Sequence, residues 1–122
     1  MFYPLTFEPI FQERVWGGRR LETLFKKPLP PDQRIGESWE ISDRPGAASV
    51  IANGPFAGHD LRWLMENHAE KLLREVPSHD GRFPWMAKLL DANEDLSVQV
   101  HPPADIAPSL GGESKTEDDS RR

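Results

Sequence analysis

Cysteine is absent from the 122 residues, which removes disulfides and thiolate metal ligands together and leaves any metal site to oxygen and imidazole donors. Long apolar runs are missing too. No window approaches the roughly 18 residues of a spanning helix, and the N-terminus has no basic stretch leading into an apolar one, as a signal peptide requires. A soluble, cytoplasmic protein with no membrane partner is the expectation. Positive charge is also in short supply: fifteen Lys and Arg face twenty Asp and Glu, a net charge of −5. With no cationic stripe to displace counterions, nucleic acid is excluded as a partner. A sugar or a metal ion is easier to accommodate.

What is present fits one loop-rich domain. Apolar residues make up 37% of the chain, alongside nine Gly and twelve Pro, and a chain of this length buries roughly two thirds of its surface. Residues 4–16 mix β-branched and aromatic residues with Pro4 and Pro9, which suits an extended edge segment. Trp16, Gly17 and Gly18 read as the turn that closes it, the glycines allowing positive φ or close backbone approach. Trp16 reads as a core anchor or as a wall of a ligand pocket. Leu21, Leu24 and Phe25 have helical spacing over 19–25, before Pro28, Pro30 and Pro31.

Residues 35–42, IGESWEIS, alternate as a strand with polar side chains on both faces. Glu37 and Glu40 must lie on opposite faces, and each reads first as a surface or turn carboxylate. DRPG at 43–46 is a turn, and ASVIA at 48–52 a short third strand. Asp60 is positioned to cap a helix over 60–75, whose Leu61, Leu64, Met65, Leu72 and Leu73 form one stripe. His68 falls near that stripe and reads as a packed histidine. His79 belongs to a polar loop and faces solvent. In the apolar run 83–92, a strand would put Met86, Lys88 and Leu90 on one face. An ammonium there either snorkels from an edge or faces a polar cavity holding an anion.

The most informative stretch is LSVQVHPP at 96–103. Leu96, Val98 and Val100 alternate with Ser97, Gln99 and His101, predicting a strand that forms a hairpin with 83–92. Side chains two apart on a strand lie about 6.6 Å from each other. Gln99 and His101 therefore converge on one small ion or one bound hydroxyl.

WGG at 16–18, GESWEIS at 36–42, PWMAKLLDA at 84–92, LSVQVHP at 96–102 and GGESKTE at 111–117 together resemble the N-terminal part of type I phosphomannose isomerase, a zinc enzyme of the cupin superfamily. The order and approximate spacing of all five agree. The resemblance implies a mainly β fold with helical insertions: a partial cupin-like jelly-roll barrel, truncated after the first metal-ligand strands, with residues 1–122 forming the N-terminal portion of the catalytic domain and 118–122 a frayed or non-native tail. It assigns Gln99, His101 and Glu117 as zinc ligands, Ser97 to the substrate near its phosphate, and Lys88 and Lys115 to the active site. Trp16 and Glu40 match residues bordering the cavity. A fourth zinc ligand, a histidine, and a catalytic arginine come in the family from further downstream, so the resemblance implies that these residues alone are inactive.

The implied reaction interconverts an aldose and a ketose, mannose 6-phosphate and fructose 6-phosphate, by moving a proton between adjacent carbons through an enediolate. Such a site needs an acid–base group and positive charge for oxygen. Either lysine fits, by charge or, with a lowered pKa, by proton transfer. A silent zinc- or sugar-phosphate-binding fragment is the alternative. Sheet edges left open by a partial barrel predict self-association.

Overall fold

The computed structural model of the chain describes residues 2–98, 100, 102, 103, 105, 106 and 109. Its organising unit is a three-stranded antiparallel sheet ordered β1-β2-β5, with β1 at Ile10–Gly18, β2 at Ile35–Ile41 and β5 at Ala87–Leu90. Among the described residues β1 is an edge strand, as the prolines just before it and its mixed composition imply. The Trp-Gly-Gly segment, however, belongs to β1 instead of turning away from it. Register breaks after Gln12 and between Glu13 and Gly18 let 14–17 arch across β2, and the carbonyl of Trp16 accepts the N–H groups of Asn93 at 2.8 Å and Glu94 at 3.1 Å. Close approach, not positive φ, is what the glycines supply. A Cβ on Gly36 would sit 2.6 Å from Cβ of Arg14 and 2.7 Å from Cζ3 of Trp16.

α1 follows at Arg20–Phe25, and Lys26 ends it in the left-handed conformation at φ 55°. Of its three spaced apolar residues only Leu21 is buried, against Leu29, Ile35 and Phe11, while Leu24 and Phe25 are exposed. Six residues make too short a helix to press a whole stripe against one sheet edge. The predicted turn at 43–46 is the tip of a hairpin of β3 (Asp43–Arg44) and β4 (Ala47–Ala48). Pro45 occupies its second position and Gly46, at φ 72°, its third. The expected strand over 48–52 is interrupted at Ser49, whose side chain replaces its carbonyl in the ladder: Ser49 N–H donates to Ser42 O, and Ser49 Oγ accepts from Ser42 N–H, both at 2.8 Å, while Ser49 O accepts from Leu61 N–H. Only isolated bridges, Val50 to Asp60 and Ile51 to Phe7, carry it further.

α2 (Leu61–Leu73) begins where Asp60 Oδ1 accepts the N–H of Trp63 at 2.8 Å, a cap that satisfies one of the orphan donors of the first turn. Leu61, Leu64, Met65 and Leu73 are buried, and the first two pack on Ile51 in the larger apolar cluster. Each such leucine contributes about 1.5–3 kcal/mol by burial. His68 departs from helical geometry at φ −139° and stacks on Phe56 with ring centroids 5.2 Å apart, a packed histidine as its spacing implied. His79 is exposed. No helix among the described residues is long and apolar enough to cross a membrane.

One expectation fails clearly. Residues 96–98, 100, 102 and 103 adopt no strand, and Val98 and Val100 are 95% and 85% exposed. Among the described residues β5 pairs with β2 alone. Alternation makes a segment competent for a sheet, but a strand exists only where a neighbour takes its N–H and C=O groups, and among the described residues none pairs with this one.

Candidate active site

β2 sorts its polar residues by strand alternation. On one face Ser38 Oγ donates to Glu40 Oε1 at 2.8 Å, and Lys27 Nζ reaches the same oxygen at 2.8 Å. On the other stand Glu37 and Trp39. Glu37 is 6% exposed, which overturns its reading as a surface carboxylate. Its Oε1 accepts from Lys88 Nζ at 2.8 Å, and its Oε2 lies 2.9 Å from Arg14 Nη2. The register pairs Lys88 with Trp39 and Leu90 with Glu37, so lysine and glutamate are diagonal neighbours across the β2–β5 pair, within reach of a long side chain. Arg14 arrives from the arched part of β1.

Burial pushes the Glu37 carboxyl up, but the hydrogen bond and charge of Lys88, the charge of Arg14 and the indole N–H of Trp39 outweigh it and hold the group below the ordinary glutamate range. The result is an ionised carboxylate between two cations, with the Lys88 side chain still 41% exposed. A sheet face with one anion and two partly open cations attracts negatively charged molecules.

The residues assigned by resemblance divide three ways. Lys88 belongs to this group as a partner of Glu37, and Trp16 packs over Gly36, one residue before Glu37. Glu40 sits on the opposite face of β2 with Lys27 and Ser38, and Ser97 is exposed and outside any strand. Gln99, His101, Lys115 and Glu117 lie outside the described residues. Among the described residues no three His, Cys, Asp or Glu side chains come together as a metal site. Glu37 and Arg14 were not picked out from the sequence. The available signal was Lys88 itself: an ammonium in an apolar strand requires a carboxylate on an adjacent one.

Comparison with known proteins bears on the same segments. The family model for the phosphomannose isomerase type I catalytic domain matches residues 5–119. The chain belongs to the type I phosphomannose isomerase family. It is 45% identical over 108 residues to "Probable mannose-6-phosphate isomerase GmuF" of Bacillus subtilis, covering 88% of this chain and 33% of that protein. A mannose-6-phosphate isomerase of Streptococcus mutans is 39% identical over 118 residues, covering 96% of this chain and 36% of its own. The crystal structure of the mannose 6-phosphate isomerase from Bacillus subtilis superposes with a TM-score of 0.80 at 38% identity, over 93% of this chain and 35% of that one. The fold is thus the mainly β, cupin-type fold of that enzyme family, with antiparallel sheets that do not close among the described residues. The chain spans about a third of the length of the relatives it matches.

Proposed function

We propose that this chain carries the first part of the active site of a zinc-dependent mannose-6-phosphate isomerase, an aldose–ketose isomerase acting on a sugar phosphate. The observation that supports it most directly is the joining of two family segments in one ionic group: Lys88 of PWMAKLLDA contacts Glu37 of GESWEIS at 2.8 Å. Gln99, His101 and Glu117 would hold the metal. Two oxygen donors and one imidazole suit a divalent ion, and zinc, when bound, supplies Lewis-acid polarisation and a template for sugar oxygens. Lys88 and Lys115 supply the positive charge, Ser97 faces the phosphate, and Trp16 borders the cavity.

Because the chain spans about a third of its relatives, the 122 residues alone bind substrate weakly and do not turn over in this reading. The sheet edge at β5, open among the described residues and carrying exposed Leu89 and Leu90, associates with a second copy. The test is conversion of mannose 6-phosphate to fructose 6-phosphate by the purified chain, with and without added zinc, beside zinc stoichiometry for the native chain and for His101→Ala. Stoichiometric zinc that disappears in His101→Ala, without turnover, supports the reading. Turnover dependent on zinc and His101 would show the site to be complete in this chain and overturn the inactivity. A folded chain whose zinc content ignores His101→Ala would overturn the ligand assignment.

A further inference from the structure

We propose that Glu37 is the positioning residue that keeps Lys88 protonated and aimed, so that Lys88 serves as a fixed cation for a developing oxyanion and is not the base that moves the proton. This division of labour rests on the isomerase reading above; the contact geometry beneath it does not. Both oxygens of Glu37 are engaged, one by Lys88 Nζ at 2.8 Å and the other by Arg14 Nη2 at 2.9 Å. Arg14 is itself steadied through Nη1, which donates to the carbonyl of Glu13 at 2.9 Å. The carboxylate cannot swing away from Lys88 without abandoning Arg14.

For Lys88 to act as a base, Nζ would have to give up a proton and turn a lone pair on a carboxylate buried against it. That exchange loses a charge-assisted hydrogen bond, the strongest kind available here, and leaves a buried anion short of one partner. Glu37 is no better as a base, since two cations hold it ionised. What the group offers a substrate is the remaining ammonium hydrogens of Lys88, whose side chain is 41% exposed although its tip is tethered. A preorganised donor of this kind stabilises oxygen charge without reorganising during the reaction.

In the isomerisation, the C–H bond next to the carbonyl breaks, its electron pair becomes the carbon–carbon double bond of the enediolate, and the carbonyl oxygen takes the negative charge. Lys88 donates a hydrogen bond to that oxygen and keeps all its N–H bonds. The departing proton goes to a different base and returns from it to the former carbonyl carbon, while the proton of the adjacent hydroxyl passes to the former carbonyl oxygen and leaves the new carbonyl behind.

Acylation reads this directly, because acetic anhydride attacks amines only as the free base. The 122-residue chain is labelled with limiting reagent, and the rate at each lysine is obtained by mass spectrometry, with the exposed Lys26 and Lys71 as internal references. Lys88 is expected to label more slowly than both in the folded chain and at their rate in urea. In Glu37→Gln, which keeps the shape and removes the charge, labelling at Lys88 rises several-fold while Lys26 and Lys71 are unchanged. Glu37→Asp restores part of the protection. Steric shielding alone would not respond to Glu37→Gln, so an unchanged Lys88 rate in that folded variant overturns the proposal. Should Glu37→Gln not fold, equal rates for Lys88 and Lys26 in the native chain overturn it as well. Neither zinc nor turnover enters the measurement, so its outcome stands apart from that of the isomerase assay.

Discussion

Gly17 and Gly36 meet backbone to backbone, so closely that a Cβ added to Gly17 would lie 2.8 Å from Cα of Gly36. One glycine comes from the Trp-Gly-Gly segment and the other opens GESWEIS, so two of the family's segments are welded where β1 arches over β2. The contact positions Arg14 and Trp16 above the start of β2, and through them the approach to Glu37.

Gly36→Ala should therefore be destabilising. A methyl group would have to displace Cβ and Cγ of Arg14 and the indole edge of Trp16, and overpacking of this kind costs about 1–3 kcal/mol. Urea denaturation should show a lower midpoint with an unchanged slope. An unaltered midpoint would mean that the arch of β1 yields freely and does not fix Arg14.

Acid stability should report the Glu37 group. Its folded pKa lies below the ordinary glutamate value of 4.5, so its contribution is fully present above that value and is lost as pH falls through the lowered one. Thermal melts of the native chain and Glu37→Gln should differ most near neutral pH and converge as pH falls through the lowered Glu37 value. A difference between them that stays constant through the acid range would contradict the linkage.

Asp43 ties three elements together. Its side chain, 1% exposed, lies 3.3 Å from Arg62 of α2 and 3.7 Å from Arg82, and its Oδ2 accepts the N–H of Phe83 at 2.9 Å. Asp43→Ala strands the half-covered Arg62 and one backbone donor, an outcome worth about 3 kcal/mol of stability. Glu66→Ala is the control: Glu66 is 3.7 Å from Arg62 but exposed, and its loss should cost no more than about 0.5 kcal/mol. Equal effects of the two in chemical denaturation would refute the anchoring role of Asp43.

Self-association should depend on concentration and on the exposed leucines of β5. Sedimentation velocity is expected to show a dimer growing with protein concentration, and Leu89→Lys combined with Leu90→Lys, both exposed on β5, should shift the population to monomer, since charge on an open edge blocks pairing. A monomer at every concentration would remove the edge as a contact surface.

The order and spacing of residues already determined a good deal. The cap at Asp60 and the leucine stripe of α2 are local, built from neighbours in the chain, and they are legible because helix geometry repeats every 3.6 residues. The opposite placement of Glu37 and Glu40 follows from strand alternation alone. The five segments were also enough to identify the family. Which glutamate is buried was not legible, because burial depends on the strands lying alongside. Only the pairing of β5 with β2, 51 residues away at Lys88 and Glu37, turned one carboxylate into the partner of a lysine and left the other to Lys27. Likewise the alternation of 96–101 describes a capacity for pairing, and a sheet forms only when a second backbone supplies the hydrogen bonds.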